Sequence, residues 1–503
     1  MLKILSAAQL QQADSDTIQQ EAISSTDLME RAAHKCFEWI CDNFTQSTSF
    51  ICLCGSGNNG GDGLAISRML LQAGYTANAV IVGNQTKLSK DCSINKERLL
   101  TLKPESLIEF NEANFQNAIS PSCILIDALF GTGLTRPLDD NYRKVVQCMN
   151  QSGVPIVSID VPSGLLMDSP LPADAYCVQA TYTLSFQCPK LSFLLPSSGK
   201  FVGQLVLLDI GLAATSIDSA ASTAYFLQQK DVKALLKSRA LFSHKGSFGH
   251  ALLVAGSNDK MGAAQLCIHA CLRAGTGLVS ALVPQQGRAI IQTTLPEAML
   301  HGTEDHINTL TDFSLYSAIG IGPGLGKNES QVQGIKILIQ QFKGRMVFDA
   351  DALNILADNK TWLGFLHSEV ILTPHVKEFE RLTEKASDDF HRLQLAKEFA
   401  IRYKLHLLLK GKYSVLCCPD GTLYFNSTGN PGMAKGGSGD VLTGILTGLM
   451  AQGYTTKEAG IIGMYLHGKA GDIAAKKHTE FAMKAGDIID CMGDAFAEML
   501  VNS

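Results

Sequence analysis

Nine consecutive residues, Gly55-Ser56-Gly57-Asn58-Asn59-Gly60-Gly61-Asp62-Gly63, set five glycines beside two asparagines and one aspartate, between an apolar run and a helical pattern. Glycines let a backbone approach a phosphate, and the start of the following helix offers N–H donors and the positive end of its dipole. The Asn and Asp oxygens are also ligands for a hard cation. Two more loops follow apolar runs. One is Asp127-Ala128-Leu129-Phe130-Gly131-Thr132-Gly133-Leu134-Thr135-Arg136-Pro137, and the other is Asp160-Val161-Pro162-Ser163-Gly164. Gly131, Thr132 and Gly133 suit phosphate oxygens, and Arg136 suits a second phosphate. Asp160 can serve as acid or base, or cap a helix.

The second half carries Asn430-Pro431-Gly432-Met433-Ala434-Lys435-Gly436-Gly437-Ser438-Gly439-Asp440 at the start of a helix of small residues. Backbone N–H groups from Gly437 to Asp440 suit the charge of a transferring phosphoryl group, and Asp440 can take a proton from a hydroxyl. The bland alternative is a glycine-rich helix cap. Lys410-Gly411-Lys412-Tyr413-Ser414 offers cations and hydroxyls for phosphate. His375, after an apolar run, can orient a substrate or sit idle on a surface loop. Gly320 to Gly326 lets a planar ring lie close. Asp349 and Asp351 read as helix caps. There is no Walker A loop, which argues against a P-loop fold.

These loops hang on alternating strand and helix patterns. Strand-length apolar runs lie at Ser49–Cys54, Ala77–Val82, Cys123–Asp127, Val154–Ile159, Ala180–Phe186 and Gln204–Asp209. The alternation restarts at Ala251–Ala255 and continues through Leu278, Ala318, Met346, Val370 and His406, with a hairpin around Pro419-Asp420-Gly421. Unbroken apolar strands spaced by helices predict doubly wound parallel sheets, with loops converging outside the carboxyl ends of the strands. Residues 212–223, rich in Ala, Ser and Thr, read as a linker. The chain has 503 residues, 46% hydrophobic and 18% charged, enough for two or three domains with sizeable cores. A net charge of −5 gives no electrostatic case for nucleic acid or an anionic membrane. The scattered 14 cysteines read as buried free thiols of a cytoplasmic protein. No signal peptide and no transmembrane helix is expected.

The Asn-Asn-Gly-Gly-Asp-Gly loop, the Asp-Ala-Leu-Phe-Gly-Thr-Gly segment and the Asp-Val-Pro-Ser-Gly turn together resemble the NAD(P)H-hydrate epimerases, from about Ser6 to Leu212. The resemblance implies a Rossmann-like three-layer domain over residues 1–212 that interconverts the R and S forms of hydrated NAD(P)H. It places the dinucleotide on Asn58, Asn59, Gly60, Gly61 and Asp62, and on Gly131, Thr132, Gly133, Leu134, Thr135, Arg136 and Pro137. It puts Asp160 at the reacting carbon as a catalytic residue, and a potassium ion on Asn59, Asp127 and Ser163. Lys190, in Cys188-Pro189-Lys190, matches a family position without a defined role.

The second half resembles the ADP- or ATP-dependent NAD(P)H-hydrate dehydratases of the ribokinase-like superfamily, from about Ala224 to Val501. The matching motifs are Lys245-Gly246-Ser247-Phe248-Gly249, Ala255-Gly256-Ser257 with Gly262-Ala263-Ala264, and the Asn-Pro-Gly-Met-Ala loop. The resemblance implies a ribokinase-like α/β domain over residues 224–503. It implies substrate contacts at Ala263, Gly324, His375 and the catalytic Asp440, and adenine-nucleotide contacts at Lys410, Gly411, Lys412, Tyr413, Ser414 and Gly439, with magnesium on the nucleotide. Lys435 departs from the Thr or Ser usual there, and can touch phosphate or point to solvent. The expected protein is a fused repair enzyme, isomerase and lyase, acting as a homo-oligomer without nucleic-acid or membrane partners. A small-molecule kinase is the rival reading of the second half, and a binding module that of the first.

Overall fold

The computed structural model describes residues 1–84, 86–111, 115, 119–301 and 312–500, so Val501, where the second resemblance ends, lies outside the described residues. The chain forms two compact units. One is Lys3–Ser222 with Asp388–Phe390; the other is Thr223–Ser387 with His391–Ser503 and Met1–Leu2.

In the first unit the sheet runs Leu107–Ile108, Thr76–Ile81, Ser49–Cys54, Cys123–Ala128, Ile156–Ile159, Tyr182–Phe186 and Gln204–Leu208. Every adjacent pair is parallel. Counted along the chain the order is 3-2-1-4-5-6-7, which reverses between Ser49–Cys54 and Cys123–Ala128. Ligands of open α/β sheets bind outside the carboxyl ends at that reversal. Gly55 and Leu129 follow those two strands directly, so two of the three glycine-bearing loops meet there.

The helix after the first strand starts earlier than its sequence pattern indicates. Asn58–Gln72 is one helix, so the predicted loop shrinks to Gly55–Gly57. Glycine is a poor helix former, and here packing overrides propensity. A Cβ on Gly60 would lie 1.8 Å from the Gly55 carbonyl oxygen, and one on Gly63 would lie 2.6 Å from Ala128 Cβ. The glycines thus let the helix rest on the strand ends. Gly60→Ala is expected to lower the unfolding midpoint of the first unit, since the clash is with backbone and cannot relax through a side chain. Calorimetry checks this.

Residues 212–223 are not the free linker expected. Ala214–Ser219 is helical, and Leu212 and Ile217 cluster with Ala13 and Leu28. Two apolar side chains suffice to dock a short helix that composition alone marked as linker.

The second unit repeats the logic. Its parallel strands run Met299–Leu300, Leu278–Leu282, His250–Val254, Ala318–Ile321, Arg345–Phe348, Val370–Leu372 and His406–Leu409. The hairpin Val415–Cys417 and Leu423–Phe425 extends them antiparallel, and Ala224–Phe226 follows in parallel. The order reverses between His250–Val254 and Ala318–Ile321, so Gly256 and Gly322–Gly324 flank a second crevice. Helix Ser438–Ala451 is buried throughout from Val441. Gly444 and Gly448 bring it against helix Met261–Arg273, where a Cβ on Gly444 would lie 2.1 Å from the Cys267 carbonyl oxygen. Thirteen of the 14 cysteines are buried and Cys41 is half-buried.

Candidate functional sites

In the first unit the Asp160 loop closes on the two glycine-bearing loops. Asn59 Nδ2 donates to the Ile159 carbonyl at 3.3 Å. A Cβ on Gly131 would stand 3.3 Å from Asp160 Oδ2 and 3.4 Å from Asn59 Oδ1. The structure therefore brings Asn59, Gly131 and Asp160 to one point. Asp160 does not cap a helix. It sits in a turn with φ +62°, a left-handed conformation that Asp tolerates and that recurs at functional sites. Its Oδ1 accepts from Lys190 Nζ at 2.8 Å, and Lys190 also donates to Ser185 Oγ and the Phe186 carbonyl. Lys190 is wholly buried. A lysine without solvent needs a paired anion and full hydrogen bonding, so its structural role is to hold the Asp160 carboxylate.

Asp127 and Ser163 are also wholly buried. The Asp127 carboxylate accepts from Ser158 Oγ at 2.7 Å, from Ser163 N–H at 2.8 Å and from Ser163 Oγ at 2.5 Å. Burial pushes its pKa up, and those donors pull it back. No basic side chain pairs with it among the described residues. Burial likewise pushes Asp62 well up, helped by Asp160 and Asp14. Thr135, Arg136 and Pro137 are exposed.

In the second unit the strand ends supply most of the chemistry. Lys410 Nζ donates to Asp349 Oδ1 at 2.7 Å and lies 3.9 Å from Glu378 Oε2. Burial pulls the lysine pKa down, but Asp349, Glu378 and Asp440 outweigh it and the net shift is upward. Asp349 stands at the N-cap of helix Ala350–Asp358, as expected, but not through its side chain. Its side chain makes no cap bond and instead accepts from Lys410 and from Thr443 Oγ1, the latter at 2.8 Å. Asp351 also departs from the cap reading, accepting from Gly326 N–H at 2.8 Å and from Lys260 at 3.4 Å.

A Cβ on Gly439 would lie 3.3 Å from Lys410 Nζ and 3.5 Å from Asp349 Oδ2. The start of helix Ser438–Ala451 therefore abuts this ion pair. Gly437 precedes it at φ +94° and no side chain caps it. Asp440, in the first turn, is pushed up to about 7 by burial and then by Asp349, against Lys410. A Cβ on Gly324 would lie 3.0 Å from Ala263 Cβ, which brings those two positions together. His375 caps helix Val376–Leu382 through Nδ1, and Nε2 of its half-exposed ring lies 3.5 Å from Glu378 Oε1. Gly411 and Ser414 close a turn through Ser414 Oγ, and Lys412 Nζ donates to the Gly429 carbonyl. Tyr413 packs near Phe226.

Lys435 takes neither expected course. Its ammonium donates to the carbonyls of Glu480, Phe481 and Met483 at 3.3, 2.8 and 2.5 Å, closing the end of helix Thr456–Ala482. That helix buttresses the glycine loop from behind. Asp472 accepts from Gly429 N–H and Asn430 Nδ2, and His467 Nε2 lies 3.3 Å from Ser438 Oγ. Burial pushes His467 down to about 4, so the ring is neutral at physiological pH. Sequence reading singled out neither residue, because an apolar helical run holding one His and one Asp has no distinguishing spacing.

Residues 251–493 match the family model for NAD(P)H-hydrate dehydratase, and residues 25–192 match that for YjeF-related protein N-terminus. The bifunctional NAD(P)H-hydrate repair enzyme Nnr of Moorella thermoacetica is 35% identical over 97% of this chain and 95% of its own. The chain belongs to the bifunctional NAD(P)H-hydrate repair enzymes. The family member of Escherichia coli K12 is 31% identical over 93% of this chain and 88% of its own. A ribokinase-like superfamily protein of Enterococcus faecalis is 25% identical, with TM-score 0.51, over 56% of this chain and 98% of its own. Family membership sets aside the kinase and binding-module readings. No helix among the described residues is long and apolar enough to cross a membrane.

Proposed function

We propose that the two units divide the repair of hydrated NAD(P)H, residues 1–212 equilibrating the R and S epimers at C6 and residues 224–503 dehydrating the S epimer with ADP or ATP. The observation that carries this reading is the pairing of two crevices at two sheet reversals. One is built around Asp160–Lys190 and the other around Asp440 and Asp349–Lys410.

In the first crevice, Asn58 to Asp62 and Gly131 to Pro137 hold the dinucleotide, and Asp160 handles a proton at the reacting carbon. Asn59, Asp127 and Ser163 fit a potassium ion. Their donor set is three oxygens with one formal charge, and the buried Asp127 carboxylate has no basic partner among the described residues. A monovalent cation offsets that charge without demanding the additional carboxylates or waters of magnesium. Asp127→Asn is therefore expected to abolish potassium stimulation of epimerisation. Titrating potassium against sodium, with epimerisation and unfolding midpoint as readouts, checks it; an undiminished potassium response in the variant contradicts it.

In the second crevice, Ala263, Gly324 and His375 hold the S epimer, while Lys410 to Ser414 and Gly439 hold the adenine nucleotide. Magnesium on the nucleotide lowers the charge of its phosphates. Asp440 takes the proton of the C6 hydroxyl as its oxygen attacks the terminal phosphorus, and the shortened nucleotide leaves. Hydroxide is a poor leaving group and phosphate a good one, so loss of phosphate from C6 and a proton from C5 restores the double bond. Lys410 and the uncapped helix start stabilise the transferring group. The test is recovery of reduced-nicotinamide absorbance from hydrated NADH with and without ADP or ATP. Accumulation of a phosphorylated product without that recovery rejects the reading. The abundance of buried thiols supports a reducing cytoplasm as the place of action.

A further inference from the structure

Asp14, on helix Ala7–Glu21, is an ionisable group beside the first crevice with no role in the scheme above. One turn earlier, Leu10 packs with Met167 and Cys188, two residues before Lys190. Residues four apart share a helix face, so Asp14 is carried on the face turned toward the Asp160–Lys190 pair. Its carboxylate is half-buried, and no hydrogen bond or ion pair holds it among the described residues. Its neighbour Asp16 contrasts with it, accepting from Ser216 and Gln12. Burial, then the Asp160 charge, push Asp14 up to about 6 against the pull of Lys190. The groups facing it are Asp160 after the fifth strand, Lys190 after the sixth strand Tyr182–Phe186, and Asp62 from helix Asn58–Gln72.

Epimerisation at C6 creates a need for such a group. The carbon bears a hydroxyl and is bonded to the ring nitrogen. Inversion breaks the C6–O bond as the nitrogen lone pair forms a C6=N iminium, and the oxygen needs a proton to leave as water. Water then adds to the opposite face, the electron pair returns to nitrogen, and the new hydroxyl gives up a proton. One proton enters on one face and one leaves on the other, with no oxidant or reductant. A single carboxylate cannot reach both faces.

We propose that Asp14 is the second catalytic residue of the epimerase, handling the proton on the face of the ring opposite Asp160. The proposal rests on reading the first unit as the epimerase. The pair acts with one shared proton. In one direction Asp14 gives it to the departing hydroxyl while Asp160 receives one from incoming water, and in the other direction the roles reverse.

The test uses the full-length chain with potassium, following R-epimer consumption by chromatography. Asp14→Asn is expected to lower epimerisation by about 10²-fold or more, and Asp14→Glu to regain at least about a tenth of the wild-type rate. Because Asp14 must hold or give up its proton in each turnover, wild-type kcat/KM is expected to change with pH through about 6, and Asp14→Asn to lack that change. Incorporation of ¹⁸O from water at C6 falls in step with epimerisation. Unchanged dehydration of the S epimer and an unchanged unfolding midpoint show that the variant is folded. Wild-type epimerisation by Asp14→Asn, or a flat wild-type profile, overturns the proposal. Absence of epimerisation in the wild-type chain instead overturns the reading of the first unit.

Discussion

Asp440→Asn is expected to lower nucleotide-dependent dehydration by about 10²–10⁴-fold, with epimerisation untouched. The amide keeps the size of the side chain but cannot take the hydroxyl proton. Burial and Asp349 raise the Asp440 carboxyl to about 7, a value matched to a base working near neutral pH. The base form is the ionised one, so wild-type kcat/KM for dehydration rises with pH through about 7, and the residual activity of the variant lacks that rise. A pH series on both proteins, with turnover read by reduced-nicotinamide absorbance, checks both statements. Turnover of the variant near the wild-type rate would remove Asp440 from the mechanism.

Lys190→Met is expected to be the most damaging single change in the first unit. The lysine is wholly buried, and its three donors go to Asp160, Ser185 and the Phe186 carbonyl. Removing one member of a buried pair costs about 3–5 kcal/mol, because the remaining charge stays uncompensated. Epimerisation is expected to vanish as the Asp160 carboxylate loses its anchor, while dehydration of the S epimer continues. Urea unfolding of the first unit, with both activities measured on the same preparation, checks the energy and the selectivity. Loss of dehydration in step with epimerisation would show that the units are not independent.

The strands could be read from sequence because parallel strands buried on both faces leave unbroken apolar runs; Ser49–Cys54, Ala318–Ile321 and His406–Leu409 appear with the expected bounds. Glycine spacing located the loops but misplaced the start of helix Asn58–Gln72, since the contacts that hold Gly60 and Gly63 helical come from distant strands. Asp349 reads as a cap, because an aspartate between a strand and a helix is one in most chains. Only the fold shows Lys410 and Thr443 closing on it. Lys435 faces a helix end 45 residues away or more, a partner that no local pattern indicates. Asp14 lies among polar residues of an ordinary surface-like helix, and its significance comes from Asp160 and Lys190, far along the chain.

The central claim is that one chain carries two separate activities on one substrate. The most direct measurement is the end point reached with a mixture of R and S hydrated NADH, excess ADP, magnesium and potassium. The wild-type chain is expected to convert the whole mixture to NADH. The full-length Asp160→Asn variant is expected to convert the S share at the normal rate and then slow to the spontaneous rate of epimerisation. A wild-type chain that halts at the S share, or a variant that consumes both epimers as fast as the wild type, would contradict the account.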